Sequence, residues 1–190
     1  ILNYGCETPS GPETLIIKLP PADDQSRMTA SSLNLFEIEN RFYAELASDA
    51  AIRVPKCFYS AMNRPLDQHV LLLEDLTSSI VGDDVSGASY QQASLVVNEL
   101  AVMHASWWES DRLNELSWLK SWLHLKEAER MESLYNDSWP KISEYGFEVP
   151  AGVVKVGNRL QSSVADIHAD LSRPPWTLGH GDVRLDNLLF

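Results

Sequence analysis

A chain of 190 residues is long enough to bury a sizeable core, as one large domain or two small ones. With 44% hydrophobic and 22% charged residues it has the composition of an ordinary soluble globular protein. No apolar run approaches the about 20 residues a membrane span needs, and no signal peptide is visible. The formal net charge of −12 argues against a nucleic-acid partner, which would call for basic patches. The acids are spread along the chain, so they suit general solubility, and they also suit a cationic substrate. Cys6 and Cys57 lie far apart with no C-x-x-C, which reads as two free thiols in a reducing, cytoplasmic setting.

Ile1-Leu2-Asn3-Tyr4 looks like a strand already under way, and Gly5 to Pro12 like a turn into the next. Thr14-Leu15-Ile16-Ile17-Lys18-Leu19-Pro20 is β-branched and apolar with one lysine embedded, which predicts a strand. Lys18 on a buried strand needs a partner; on an edge strand it needs only solvent. Pro20 to Gln25 reads as a loop.

The spacing of Leu35, Ile38, Phe42 and Leu46 predicts a helix over residues 34–47, with Ser31, Ser32 and Asn34 as candidate caps. Glu37, Glu39 and Glu45 are its candidate partners for a lysine, with Glu39 favoured. Val54-Pro55 breaks the exit. Cys57 to Ser60 then starts a strand that pairs with residues 69–73 across an Asn63-to-Asp67 turn. Val70 to Leu73 is wholly apolar and stops abruptly at Glu74-Asp75-Leu76, as a buried strand does when it enters a connecting segment.

After Leu76 the pattern is helical. An amphipathic helix begins at Ser89 with Ala93, Val96, Val97, Leu100, Met103, His104 and Trp107 on one face. Helical segments follow over residues 116–136 and 151–171, and Arg173-Pro174-Pro175 ends the last. His104 sits at core spacing, and the six tryptophans (107, 108, 118, 122, 139 and 176) read chiefly as packing residues. His69, His124 and His168 show no metal-ligand spacing.

The end of the chain carries the densest chemistry. His180-Gly181-Asp182-Val183-Arg184-Leu185-Asp186-Asn187 is a polar loop before the apolar strand Leu188-Leu189-Phe190. H-G-D-x-x-x-x-N has the spacing of kinase catalytic loops, in which the Asp takes the proton of the attacking hydroxyl and the Asn binds magnesium. A polar turn before a buried strand would use the same residue types. Glycine where protein kinases have arginine points towards small-molecule acceptors.

Taken in order, the Lys18 strand, F-x-x-E-x-x-F-Y from Phe36 to Tyr43, L-L-L-E-D-L from Leu71 to Leu76, L-A-x-x-H-A from Leu100 to Ala105 and the His180-to-Asn187 loop resemble the aminoglycoside-phosphotransferase-like kinases. They resemble most the ecdysteroid-kinase-like (CHK-type) branch. The resemblance spans nearly the whole chain. It implies an α+β, protein-kinase-like two-lobe fold: a small β-rich N-lobe with one helix over residues 1–75, and a mainly helical C-lobe over residues 76–190. It implies ATP and Mg²⁺ as cofactors and a small-molecule hydroxyl as acceptor. By position, Asp182 resembles the catalytic base, Asn187 a magnesium ligand, and Lys18 with Glu39 the phosphate-binding pair. Backbone groups near Glu74 and Leu76 resemble the adenine contacts, and His180 resembles a brace that orients the loop. The family's glycine-bearing phosphate loop and second magnesium-binding Asp have no counterpart here, so the chain is read as an internal piece of a longer kinase, truncated at both ends and inactive by itself. Two rival readings remain: a pseudokinase-like module that binds nucleotide or ligand without turnover, and a metal-dependent hydrolase built on His180 and Asp182.

Overall fold

A computed structural model describes residues 11–66, 68–119, 125–146 and 148–190. The strand expected at Ile1 to Tyr4 and all but the last two residues of the turn expected from Gly5 to Pro12, with Asp67, Trp122 and His124, lie outside them. The protein is α+β, and the described residues hold three strands, β1 Leu15–Lys18, β2 Cys57–Asn63 and β3 Gln68–Glu74. Seven helices are described: α1 Asp24–Ser32, α2 Leu35–Glu45, α3 Tyr90–Trp107, α4 Arg112–Glu115, α5 Leu125–Ser138, α6 Ala151–Leu160 and α7 Val164–Leu171. Two compact units contain them: Ile1–Ser106 with Leu178–Phe190, and Trp107–Thr177. Among the described residues no helix is long and apolar enough to cross a membrane.

In the first unit the sheet order is β1-β3-β2 and both pairings are antiparallel. β2 and β3 form the expected hairpin, closed by a 3-10 turn at Arg64–Leu66. β3 is central, and its alternate residues His69, Leu71 and Leu73 are buried, the period-two pattern of a strand with one face on a core. β1 lies at the edge of the described sheet and buries little; Ile17 is 61% exposed. Among the described residues, Lys18 therefore stands on a largely exposed strand, not a buried one.

α2 covers the buried face of the sheet. Phe36 and Asn40, one turn apart, are buried, and Phe36 stacks on His69 of β3 with ring centroids 4.1 Å apart. Asn40 Nδ2 donates to the Phe36 carbonyl at 2.9 Å, and its Oδ1 accepts from Ser60 Oγ of β2 at 2.8 Å. The helix is thus tied to the sheet through a satisfied buried amide.

Several expectations change. The stretch read as loop and caps holds α1, packed on α2, with Asp23 as its N-cap accepting from the Ser26 N–H at 2.7 Å. Ser31 and Ser32 end α1, and Asn34 enters α2 in a left-handed conformation without capping it. The helix expected over 116–136 is described only from Leu125, with Leu116 in a non-helical turn, and the one expected over 151–171 breaks at Gln161–Ser163 into α6 and α7. On α3 the apolar stripe is narrower than predicted. Met103 and Trp107 are buried, whereas Val97 is 63% exposed. The final strand is a single antiparallel bridge, Val81 to Leu189.

In the second unit α5 packs on α7. Trp107 and Trp118 are buried, in line with packing roles, but Trp108 is exposed. Arg112 stacks its guanidinium over the Trp107 ring. Trp139 lies against Gly157, stacks on Tyr135, and donates its indole N–H to Asn158 Oδ1 at 2.8 Å.

Asn40→Ala leaves the Ser60 hydroxyl without its acceptor and opens a gap under α2. The expected loss is about 1–3 kcal/mol of unfolding free energy, read by chemical denaturation, and an unchanged value would contradict the role given to this amide.

Candidate functional site

Lys18 sits on the last residue of β1, opposite Leu71 of β3. Its ammonium meets Glu39 Oε1 at 2.5 Å, with the two side chains 51% and 29% exposed. The other two glutamates of α2 are engaged elsewhere. Glu37 pairs with Arg64 and Arg41, and Glu45 with Arg41 at 2.7 Å. Of the three candidates, the fold gives Lys18 only Glu39. A partly exposed pair of this kind contributes about 1 kcal/mol or less to stability, so its significance is positional.

Glu39 also bears on Tyr43, one turn along α2. Burial, then the Glu39 carboxylate, push the Tyr43 phenol up to about 12. Burial likewise pushes the Cys57 thiol up.

At the end of β3, the Glu74 carboxylate accepts from Arg53 Nη2 at 2.7 Å through both oxygens and from the Lys56 N–H at 2.9 Å. These bonds, the Arg53 one first, hold it below the usual carboxylate range. The Glu74 N–H donates to the Lys56 carbonyl at 2.8 Å. Leu76 follows in a turn, its carbonyl accepting from the Ser79 N–H at 2.9 Å. Both residues thus sit in a pinned strand exit.

The loop over residues 180–187 belongs to the same unit. Gly181 adopts φ 83°, a left-handed conformation that an arginine side chain at this position would strain. The turn folds His180 back, so that its Nδ1 accepts from the Asp182 N–H at 3.3 Å. Asn187 closes the loop, donating from Nδ2 to Asp182 Oδ2 at 2.9 Å and to the Asp182 carbonyl at 3.1 Å. Arg184 Nε approaches Asp182 Oδ1 at 3.8 Å and Nη2 pairs with Asp186 at 2.6 Å. Asp182 remains 67% exposed, open to a reactant.

The structure therefore joins Lys18 to Glu39, and Asp182 to both His180 and Asn187. Two partners of the loop escaped the sequence reading: Gly82 and Asp84. The Leu185 N–H donates to Asp84 Oδ1 at 2.8 Å. Asp83-Asp84 read only as part of a scattered acidic surface, and nothing local signals a contact with residue 185. Two concavities are described, about 740 Å³ beside Leu19, Arg27 and His69 and about 560 Å³ beside Trp139 and Glu148. Neither is lined by a candidate catalytic residue.

A sequence model of the ecdysteroid kinase-like family matches residues 5–116. The chain belongs to the ecdysteroid kinase-like family. Curated proteins and solved structures give no match. The matched segment holds Lys18, Glu39, Glu74 and Leu76. The His180-to-Asn187 loop lies beyond it, so its assignment in this ecdysteroid kinase-like protein rests on spacing and geometry.

The raised Tyr43 value has a signed consequence. Folded and unfolded forms differ between the ordinary tyrosine value of about 10 and the folded value of about 12. Stability conferred by keeping the phenol neutral is present below the lower value and declines as pH rises through the upper one. The phenolate absorbance step, isolated as wild type minus Tyr43→Phe, is expected near pH 12; a step near 10 would contradict the burial and the Glu39 contact.

Proposed function

We propose that this protein is an ATP-dependent phosphotransferase acting on a hydroxyl group of a small molecule, with a two-lobe kinase-like fold. Kinase-like character comes with the family. The observation that carries the reading is the closed Asp182–Asn187 pair, together with Lys18 held by a helix carboxylate, in one compact unit.

Asp182 is the base. Its carboxylate stands in solvent on a fixed turn, and it accepts the proton as the acceptor oxygen bonds to the γ-phosphorus and the bond to the bridging oxygen of ADP breaks. Lys18, steadied by Glu39, neutralises phosphate charge. Backbone groups at Glu74 and Leu76 meet the adenine edge, and His180 holds the Asp182 backbone in register. The donor set suits magnesium. Asn187, whose Nδ2 is turned to Asp182, would hold it through its hard amide oxygen, and a phosphate-bound Mg²⁺ needs only one or two protein ligands. When bound, Mg²⁺ supplies charge neutralisation on the transferring phosphoryl group.

A zinc-type hydrolase on His180 and Asp182 is less well supported. Among the described residues no three His, Cys, Asp or Glu side chains converge on a metal position, and His180 Nδ1 is engaged by the Asp182 N–H. The pseudokinase reading differs from ours only in turnover, and Asp182, Asn187 and Lys18 all favour turnover.

The test is ADP release by the full-length protein with Mg²⁺ and a library of hydroxyl compounds. Asp182→Ala is expected to lower turnover by about 10²–10⁴-fold while nucleotide affinity stays close to wild type. Equal turnover would remove the base from the mechanism; nucleotide binding with no turnover against any acceptor would favour the pseudokinase.

A further inference from the structure

The residues 182–187 that carry the proposed chemistry are largely exposed, so apolar burial does not fix their shape. What fixes it is the segment that follows the β3 exit. The Ile80 N–H donates to the Phe190 carbonyl at 2.9 Å and the Phe190 N–H returns to the Ile80 carbonyl at 2.9 Å. The Gly82 N–H donates to the Leu188 carbonyl at 3.0 Å. Two residues on, Asp84 Oδ1 accepts the Leu185 N–H at 2.8 Å, inside the loop between Asp182 and Asn187.

Gly82 makes this approach possible. A Cβ built there would stand 2.3 Å from the Leu185 carbonyl oxygen and 2.9 Å from its carbon, so any side chain would push the loop backbone away. Asp84 is itself held in place. Asp83 accepts from the Val85 N–H at 2.8 Å and the Ser86 hydroxyl at 2.6 Å, and the Gly87 N–H donates to the Asp83 carbonyl at 2.9 Å. These bonds make residues 83–87 a closed turn, which aims Asp84 at the loop. Asp84 thus has a fixed place and a backbone donor, although it is exposed.

We propose that Asp84 and Gly82 are positioning residues for the catalytic loop: Asp84 clamps the Leu185 amide and Gly82 admits the loop backbone, and together they set where Asp182 and Asn187 stand. The role of that position rests on the phosphotransferase reading; the clamp itself does not. A hydrogen bond from an amide to a carboxylate is worth enough that its loss changes a local equilibrium by about tenfold or more, and small displacements of a reacting group are costly in rate.

Asp84→Ala and Asp84→Asn separate the clamp from general surface charge, because asparagine keeps an acceptor oxygen and loses the charge. Hydrogen exchange at the Leu185 amide, read by NMR in the full-length protein, is expected to accelerate by about tenfold in Asp84→Ala, to stay near wild type in Asp84→Asn, and to leave the β3 amides unchanged in both. In turnover, Asp84→Ala is expected to lower kcat by about tenfold with the nucleotide KM within about twofold, and Asp84→Asn to restore it. Gly82→Ala, which keeps every side chain of the loop, is expected to lower kcat in the same way. Unchanged Leu185 exchange in Asp84→Ala, or equal losses in the alanine and asparagine variants, would overturn the proposal. A wild-type protein that transfers no phosphoryl group would defeat the phosphotransferase reading instead, with the exchange experiment still deciding the clamp.

Discussion

The docking of α2 on the sheet is the constraint on which the Lys18–Glu39 half of the candidate site depends. Lys18 ends a largely exposed strand and has little burial to fix it. A carboxylate beside it exists because Phe36 and Asn40 are buried against β2 and β3, which turns the neighbouring Glu39 to the rim of the same helix. Three glutamates were chemically able to serve. Arg41 and Arg64 take two of them, so the choice is made by competing ion pairs and not by the spacing of the glutamates alone.

The two halves of the site are held by different means. The Lys18–Glu39 pair joins two side chains in partial solvent, where screening keeps the interaction weak and the ammonium adjustable. The 180–187 loop is held chiefly through its backbone, by the left-handed Gly181, the Asn187 amide and the 80–84 segment. This division suits phosphoryl transfer. A cation that follows a phosphate gains from latitude, whereas a base has to meet one hydroxyl in line with one phosphorus.

Much of this was legible in the sequence because the signals were local. Period two marks β3, helical period marks α2 and α3, and H-G-D-x-x-x-x-N marks the loop by itself. The misses have physical causes too. Pro20-Pro21 reads as loop, yet two residues later Asp23 caps a helix whose sequence has almost no apolar face to announce it. The break between α6 and α7 falls at Gln161-Ser162-Ser163, a polar stretch that helical periodicity passes over. For Lys18 the sequence left a buried strand and a solvent-facing one both open, because an isoleucine-rich run does not say which of its faces is covered; Ile17 is 61% exposed.

The Asp84–Leu185 bond shows where local reading ends. Its partners are 101 positions apart, and each looks unremarkable alone: an acid in an acidic protein, and a leucine whose backbone N–H is what matters. A side-chain pattern cannot encode a backbone donor. Nor can it encode Gly82, whose function is the space it leaves for the Leu185 carbonyl. An exposed loop with reactive side chains must borrow its rigidity, and here the lender is the segment immediately after the β3 exit. The segment after Leu76 is thus bonded at Ile80, Gly82 and Asp84 to Phe190, Leu188 and Leu185 of the loop and its exit. In the phosphotransferase reading, the strand exit that meets the adenine edge and the loop that presents the base are therefore two ends of one short, hydrogen-bonded path.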